Sequence, residues 1–516
     1  MNTSSTTVRK IWDLRLHAHN APDRTAVACG DVRYTYGELE ILSNQMASAF
    51  RSFGLARGDH IALLIGNRPE MLAIVWGAWR AGLYITPMAT TLTLSELTYM
   101  VNDCDAKLVL VDAMLEDQSI ALARQLSSEH LVFGSIGGEL PCCQNMVNLL
   151  NTFSGFPIPD ECPGALMMYT SGTTGYPKGV IRPLADPTTK ATPSFATDLI
   201  TLFGMGGDDV RYLSTQPLYH AAALRFALAV TAGGGYVNIM PRFNAELALN
   251  LLQSEKMTHS QWVPVMFQRL INLPANVREA FHAPQHQCAI HGAAPCSVAL
   301  KEAMIDWWGP IFLEYYSGSE GVGLSLINSQ EAKLHPGSVG KVVKGVLHVV
   351  EGPEATTELS PGEVGMLFFS GIAPFEYYKE PQKTATRTHV NGWQTFGDLG
   401  HVDDQGYVYL SDRLDDMIIS GGVNVYPQEI EKVIQEVDGV SECAVVGVAD
   451  AEFGERPVAF IVPESPHSPA SLLARIRKHC EQHLGKIKRP DRFELIVQLP
   501  RTPTGKLLRR QLRNFI

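Results

Sequence analysis

Two patterns of apolar placement alternate along the first half of the chain. Residues 60–65, HIALLI, are a short apolar run bounded by Gly58-Asp59 and Gly66-Asn67, which predicts a buried strand. Residues 70–80 have helical composition and stop at Gly82. The helical pattern returns at 95–102 and is followed by a second apolar run, KLVLVD, at 107–112. Strand, helix, strand in this rhythm predicts a parallel sheet covered by helices, because parallel neighbours need a crossover long enough to hold one. Further strands are expected at 236–240, 260–263 and 287–290.

The pattern changes near residue 400. Residues 406–410, GYVYL, alternate as a strand, and 417–419, MII, form another, with the charged turn 412–416 between them. After Pro427, residues 428–437 place Ile430, Val433, Ile434 and Val437 on one helical face. Residues 443–448 and 458–462 read as two strands joined by a polar turn, and 471–484 as an amphipathic helix. The expected fold class is therefore α/β: a large N-terminal domain, 1–411, of helix-covered, mostly parallel sheets, and a small α+β C-terminal domain, 412–516. A single crossing near 411–416 would join them.

Composition narrows this picture. A chain of 516 residues is too long for one core. A hydrophobic content of 45% with 18% charged residues is that of an ordinary globular protein. The net charge of −11 argues against general nucleic-acid binding, which needs clustered basic surface. No run of eighteen apolar residues appears, so no transmembrane helix is expected, and the first ten residues do not read as a secretion signal. The ending Asn514-Phe515-Ile516 carries no peroxisomal address. Nine scattered cysteines without a Cys-x-x-Cys pair read as reduced thiols in a cytoplasmic protein, with no support for a cysteine nucleophile or a zinc site.

The densest chemistry lies at 169–179, YTSGTTGYPKG, directly after the apolar residues 165–168. Glycines let backbone N–H groups approach phosphate oxygens, hydroxyls add donors and Lys178 adds charge, so the segment suits a polyphosphate. Shorter pieces of it are common in surface turns. It is not a Walker A loop, because Lys178 lies between Pro177 and Gly179 rather than between glycine and Ser or Thr. The whole run resembles the signature loop of the adenylate-forming superfamily, which includes acyl-CoA synthetases, peptide-synthetase adenylation domains and luciferases. On that resemblance Thr170, Ser171, Gly172, Thr173, Thr174, Gly175 and Lys178 would hold the β- and γ-phosphates of ATP.

Four further segments extend the resemblance over the chain. Residues 315–321, YYSGSEG, offer an aromatic, hydroxyls and a carboxylate, which can stack on a base, bond a phosphate and hold Mg2+. The superfamily pattern there is Tyr-Gly-x-Thr-Glu; here Ser317 stands for the glycine and Ser319 for the threonine. It implies Tyr316 and Ala293 for adenine, Ser319 for the α-phosphate and Glu320 for Mg2+. In 392–398, GWQTFGD, Phe396 stands where the family has threonine, and Asp398 is implied for the ribose. Within 412–424, Arg413 matches the ribose-contacting arginine, Asp415 the hinge and Gly422 the lining of the pantetheine tunnel. Lys506, in RTPTGK, matches the lysine that bridges the substrate carboxylate and the α-phosphate.

The resemblance implies an ATP-dependent, AMP-forming acyl-CoA ligase acting on a hydrophobic carboxylic acid, with ATP, Mg2+ and CoA. His220, in PLYH, stands where an amino-acid-activating domain would show an aspartate, which favours the acyl- and aryl-CoA branch and marks His220 as a site residue. Ala221, Ala222, Ala223 and Gly233, Gly234, Gly235 are small, and either leave room for an apolar tail or pack helices tightly. Loading of a carrier protein is the alternative outcome for the acyl group.

Overall fold

A computed structural model describes residues 13–128, 130–170, 177–188, 193–414, 416–421, 423–450, 452–464, 469–501 and 507–516. The contacts divide the chain into two compact units. One contains the residues up to Trp262, with Met266–Ile290 and Glu376–Lys379; the other contains Val263–Val265, His291–Phe375 and Glu380–Ile516.

The first unit is built on the expected parallel sheet. Its six strands run in the order Gln144–Asn145, Val132–Ile136, Ala106–Asp112, His60–Leu64, Tyr84–Pro87 and Ala165–Leu166, every neighbouring pair parallel. The strand His60–Leu64 is buried throughout, as a central parallel strand covered on both faces must be. The helix Glu70–Arg80 falls on the expected residues, and Met71 through Ala78 are all buried. It packs closely on the helix Tyr36–Ser52, where a side chain on Gly77 would lie 2.6 Å from the Met46 Cβ and the Ser43 carbonyl oxygen. The helices Tyr36–Ser52 and Leu94–Asp103 both start in capping boxes, Thr35 with Glu38 and Thr93 with Glu96. A second set of strands, His259–Trp262, Arg211–Ser214, Tyr236–Ile239 and Thr25–Cys29, is parallel, with Val32–Thr35 antiparallel beside the last. A small antiparallel sheet places Lys178–Ile181 between Met168–Thr170 and Glu376–Tyr377.

The second unit is mostly antiparallel. Phe312–Tyr316 pairs with Leu324–Asn328, and that strand with Lys341–Lys344. A four-stranded sheet follows in the order Val346–Val350, Gly365–Ser370, Asp398–Val402 and Val408–Arg413. The charged turn expected at 412–416 is corrected here: Asp412 and Arg413 close the last strand, paired with Leu399 and Asp398. Ladder pairing and two carboxylate hydrogen bonds outweigh the low strand propensity of these charged residues.

The last hundred residues form a sheet of their own: Val423–Val425, Ile418–Ser420, Gly454–Pro463 and Val440–Asp450, with Arg492–Leu495 parallel to Gly454–Pro463. The helices Pro427–Gln435 and Pro469–His483 cover it. Ile418, Ile430, Ile434, Val445, Ile461, Leu472 and Ile476 meet in one buried cluster, drawn from the residues the periodicity marked as apolar faces.

Candidate active site

On the second unit a cross-strand pair brings Asp398, Arg413 and Tyr316 together. The register sets Asp398 directly opposite Arg413, with Arg413 Nε 3.2 Å from Asp398 Oδ1. The other carboxylate oxygen accepts the hydroxyl of Tyr316 at 2.7 Å. Tyr316 is the last residue of the strand Phe312–Tyr316, so an antiparallel sheet delivers the aspartate and arginine and a strand of another, mixed sheet the tyrosine. Burial, and then the charge of Asp398, hold the Tyr316 phenol protonated, well above its usual range. The carboxylate of Asp398 keeps accepting capacity beyond these two bonds.

The loop after Tyr316 turns at once. Gly321 N–H donates to the Gly318 carbonyl at 3.0 Å, with Gly321 in the left-handed region at φ 61°. Ser317, which departs from the family glycine, donates its hydroxyl to the Gly323 carbonyl at 2.7 Å and closes the loop. Glu320 is buried inside this turn, and its charge acts on the guanidinium of Arg413. Ser319 beside it is partly buried. Thr395, one position before Phe396, is fully buried and accepts the Gly397 N–H at 2.9 Å, a structural role.

Ala293 follows the strand Cys288–Gly292 and holds φ 66°, a conformation costing a non-glycine residue about 1–2 kcal/mol. The neighbouring Gly292 packs on the strand that carries Tyr316, since a side chain there would lie 2.6 Å from the Tyr315 carbonyl oxygen. Beneath the segment, Lys301 on the helix Val298–Trp308 pairs with Glu314 on the strand Phe312–Tyr316, both side chains buried.

On the first unit, Thr170 and Lys178 are register partners, so the two ends of the glycine-threonine loop are brought together. The ammonium of Lys178 stands 5.3 Å from the centroid of the Tyr377 ring, in cation–π range. Tyr169, beside Thr170, donates its hydroxyl to Asp103 at 2.5 Å, and Tyr378, beside Tyr377, donates to Asp105 at 2.7 Å. One turn thus anchors both outer strands of the small sheet. Nothing in the local sequence signals these contacts, which join residues 66 and 273 positions apart.

His220 precedes the helix Ala221–Gly233, and its buried Nε2 has no hydrogen-bond partner among the described residues. Burial holds its imidazole down to about 4, hence neutral near pH 7. Asn67, at the end of the first apolar run, fixes this segment: its Oδ1 accepts the Leu218 N–H at 2.8 Å, and its Nδ2 donates to the carbonyls of Met240 at 2.7 Å and Gln216 at 3.2 Å. The room that small residues offered is not found at Gly233–Gly235. Side chains there would lie 2.6 Å from the Met205 carbonyl oxygen, 2.5 Å from the His17 ring and 2.8 Å from Val230, so these glycines serve close packing.

Ser171, Gly172, Thr173, Thr174, Gly175, Asp415, Gly422 and Lys506 lie outside the described residues. All nine cysteines are free thiols. No helix among the described residues is long and apolar enough to cross a membrane.

Residues 14–379 match the family model described as AMP-binding enzyme, and residues 429–506 match the AMP-binding enzyme C-terminal domain. The chain is 32% identical to the long-chain-fatty-acid–CoA ligase FadD13 of Mycobacterium tuberculosis, over 97% of each chain. It is also 32% identical to the fatty acid–[acyl-carrier-protein] ligase ScoC of Streptomyces coeruleorubidus, over 96% of this chain and 94% of that one. The solved o-succinylbenzoate CoA synthetase of Bacillus subtilis, in complex with its acyl-adenylate intermediate, superposes with a TM-score of 0.79 at 25% identity, over 97% of each chain. The chain belongs to the AMP-binding, adenylate-forming enzymes and, within them, to the acyl-CoA synthetase branch, whose members are AMP-forming acid–thiol ligases.

Proposed function

We propose that this chain activates a hydrophobic monocarboxylic acid with ATP and transfers the acyl group to the thiol of CoA. The observation that carries the reading is the cluster of Tyr316, Asp398, Arg413 and Glu320. An aromatic, a carboxylate with free lone pairs, a guanidinium and a second buried carboxylate are the groups a base, a ribose and a phosphate-bound cation require.

A carboxylate is a poor acyl donor because its leaving group would be oxide. In the first half-reaction a carboxylate oxygen attacks the α-phosphorus of ATP, the bond to the bridging β-phosphate oxygen breaks, and pyrophosphate leaves. In the second, the CoA sulfur attacks the acyl carbon, the bond to the AMP oxygen breaks, and the thiol proton is lost. The protein's task is to hold two anions together and to offset the charge that builds between them; a single pre-placed donor is worth about 3–4 kcal/mol when removed.

Tyr316 and Ala293 would hold the adenine, Asp398 and Arg413 the ribose, Ser319 the α-phosphate, and Thr170 to Lys178 the β- and γ-phosphates. Lys506 would neutralise charge at the reacting centre, Asp415 would be the hinge between the two half-reactions, and Gly422 would leave the pantetheine path open. His220 is assigned to the acid: a buried nitrogen left unbonded costs about 1–3 kcal/mol, which a bound carboxylic acid would offset. Among the described residues no group of three or more potential metal ligands exists. Glu320 would hold Mg2+, an ion that keeps waters and takes its other oxygens from phosphate. Bound there, Mg2+ would screen the phosphate charges. Nine free thiols support a reducing, cytoplasmic setting.

The test is pyrophosphate release over a panel of fatty, arylpropenoic and alicyclic acids, with CoA as acceptor. Acid-dependent release coupled to thioester formation is expected; acyl-AMP that accumulates unchanged in the presence of CoA would overturn the acceptor. Similarity to the carrier-protein ligase supports one second reading, in which the same acyl-AMP passes to a phosphopantetheinylated carrier and not to CoA.

A further inference from the structure

One of the chain's departures from the family pattern, phenylalanine at 396, meets in space the glycine that fills the pattern's variable position, Gly318. Gly318 is not in the left-handed region, so its backbone accepts any residue. What excludes a side chain is chiefly Phe396, with the Glu320 carboxylate beside it. A Cβ on Gly318 would lie 2.5 Å from Phe396 Cδ1 and 2.9 Å from Cε1, and 2.9 Å from Glu320 Oε2.

The ring cannot readily yield, because it is itself enclosed. Phe396 is buried, its ring 5.4 Å from that of Tyr316 at an interplanar angle of 79° and 5.5 Å from that of Phe369 at 58°. Phe369 in turn fills the space over Gly323, where a Cβ would lie 2.2 Å from its Cδ1. The Ser317 hydroxyl ties the loop across these two glycines. Gly318 and Gly323 therefore each receive one aromatic ring, and the edge-to-face contact with Tyr316 is of the kind that orients aromatic pairs.

We propose that Phe396 is a positioning residue for the nucleotide: its ring takes the volume a side chain at 318 would occupy and fixes Tyr316 and Glu320. Phe396 makes the closest of the contacts that exclude a side chain at 318, and the Glu320 carboxylate makes the other. The assignment rests on reading Tyr316 and Glu320 as nucleotide-side groups.

The test is a double-mutant cycle of Gly318→Ala and Phe396→Thr, read as KM for ATP, KM for the acid, and melting temperature. Gly318→Ala is expected to raise KM for ATP by about tenfold or more while leaving KM for the acid within about twofold, since the contact disturbed orients the base-side aromatic. In the Phe396→Thr background the same alanine should cost several-fold less, the Glu320 contact alone remaining, which is the coupling a shared volume demands. Equal effects of the alanine in both backgrounds, or losses confined to KM for the acid, would overturn the proposal. Should Gly318→Ala alone be insoluble, a soluble double variant supports it, and a double variant insoluble where Phe396→Thr is soluble overturns it. A wild-type protein releasing no pyrophosphate with any acid would remove the functional reading. The coupling in melting temperature would then still decide whether 318 and 396 share one volume.

Discussion

Single residues in this chain do their work through partners far away in sequence. Lys301 and Glu314 are a buried ion pair beneath the segment that carries Ala293, and burial raises the Glu314 carboxyl although Lys301 opposes it. Lys301→Met strands that carboxyl without its partner and should cost about 3–5 kcal/mol in urea unfolding, whereas Lys301→Met with Glu314→Leu should recover most of the loss. A double variant as unstable as the single one would show that the pair is worth more than the packing that replaces it. Asn67 makes a comparable case, with two bonds to the segment before His220 and a third to the Met240 carbonyl. Asn67→Ala leaves two carbonyls and one N–H without that partner. It should lower kcat/KM for the acid well before it changes KM for ATP, in steady-state kinetics with each substrate varied.

At the scale of elements, the junction beside residue 415 has a built-in response to pH. Asp412 accepts the Gln428 N–H at 3.0 Å, near the start of the helix Pro427–Gln435, and the Arg413 N–H at 2.8 Å. Burial pushes its carboxyl up to about 6, against the two N–H donors and Arg509 that pull it down. A carboxyl raised in the folded protein favours folding fully below its unfolded value, near 4, and that stability is lost as pH rises through about 6. Melting temperature should therefore carry a component that falls between pH 4 and 7. Asp412→Asn, which keeps an acceptor for Gln428 but cannot ionise, should flatten it; an unchanged profile would assign the dependence to other groups.

The elements were largely legible in the sequence because their signals are local. The helix Glu70–Arg80, the strand Ala106–Asp112 and the apolar face of Pro427–Gln435 follow from periodicity and glycine stops. The strand Val408–Arg413 was read short, because its charged end is stabilised by register against Asp398 rather than by its own residues. The motifs likewise marked Tyr316, Asp398 and Arg413, but gave no hint that Asp398 already holds both of the others. The fit of Phe396 over Gly318 was also illegible, being a matter of volume between loops far apart in the chain.

For the whole molecule, the proposed reaction has two halves that different residues should separate. Lys506→Ala is expected to abolish acyl-AMP formation and to spare thioester formation from supplied acyl-AMP. Asp415→Pro, which stiffens the proposed hinge, should do the reverse. Both half-reactions are followed by pyrophosphate release and by CoA thiol consumption. Equal loss of both in the lysine variant would remove its role at the α-phosphate.

The cluster that gathers Ile418, Ile430, Val445, Ile461, Leu472 and Phe493 draws on no residue before 418. A segment that carries its own apolar centre is a unit evolution and engineers can trade. Grafting that portion from a carrier-loading relative onto this chain should leave the choice of acid with the recipient while the thiol acceptor follows the donor.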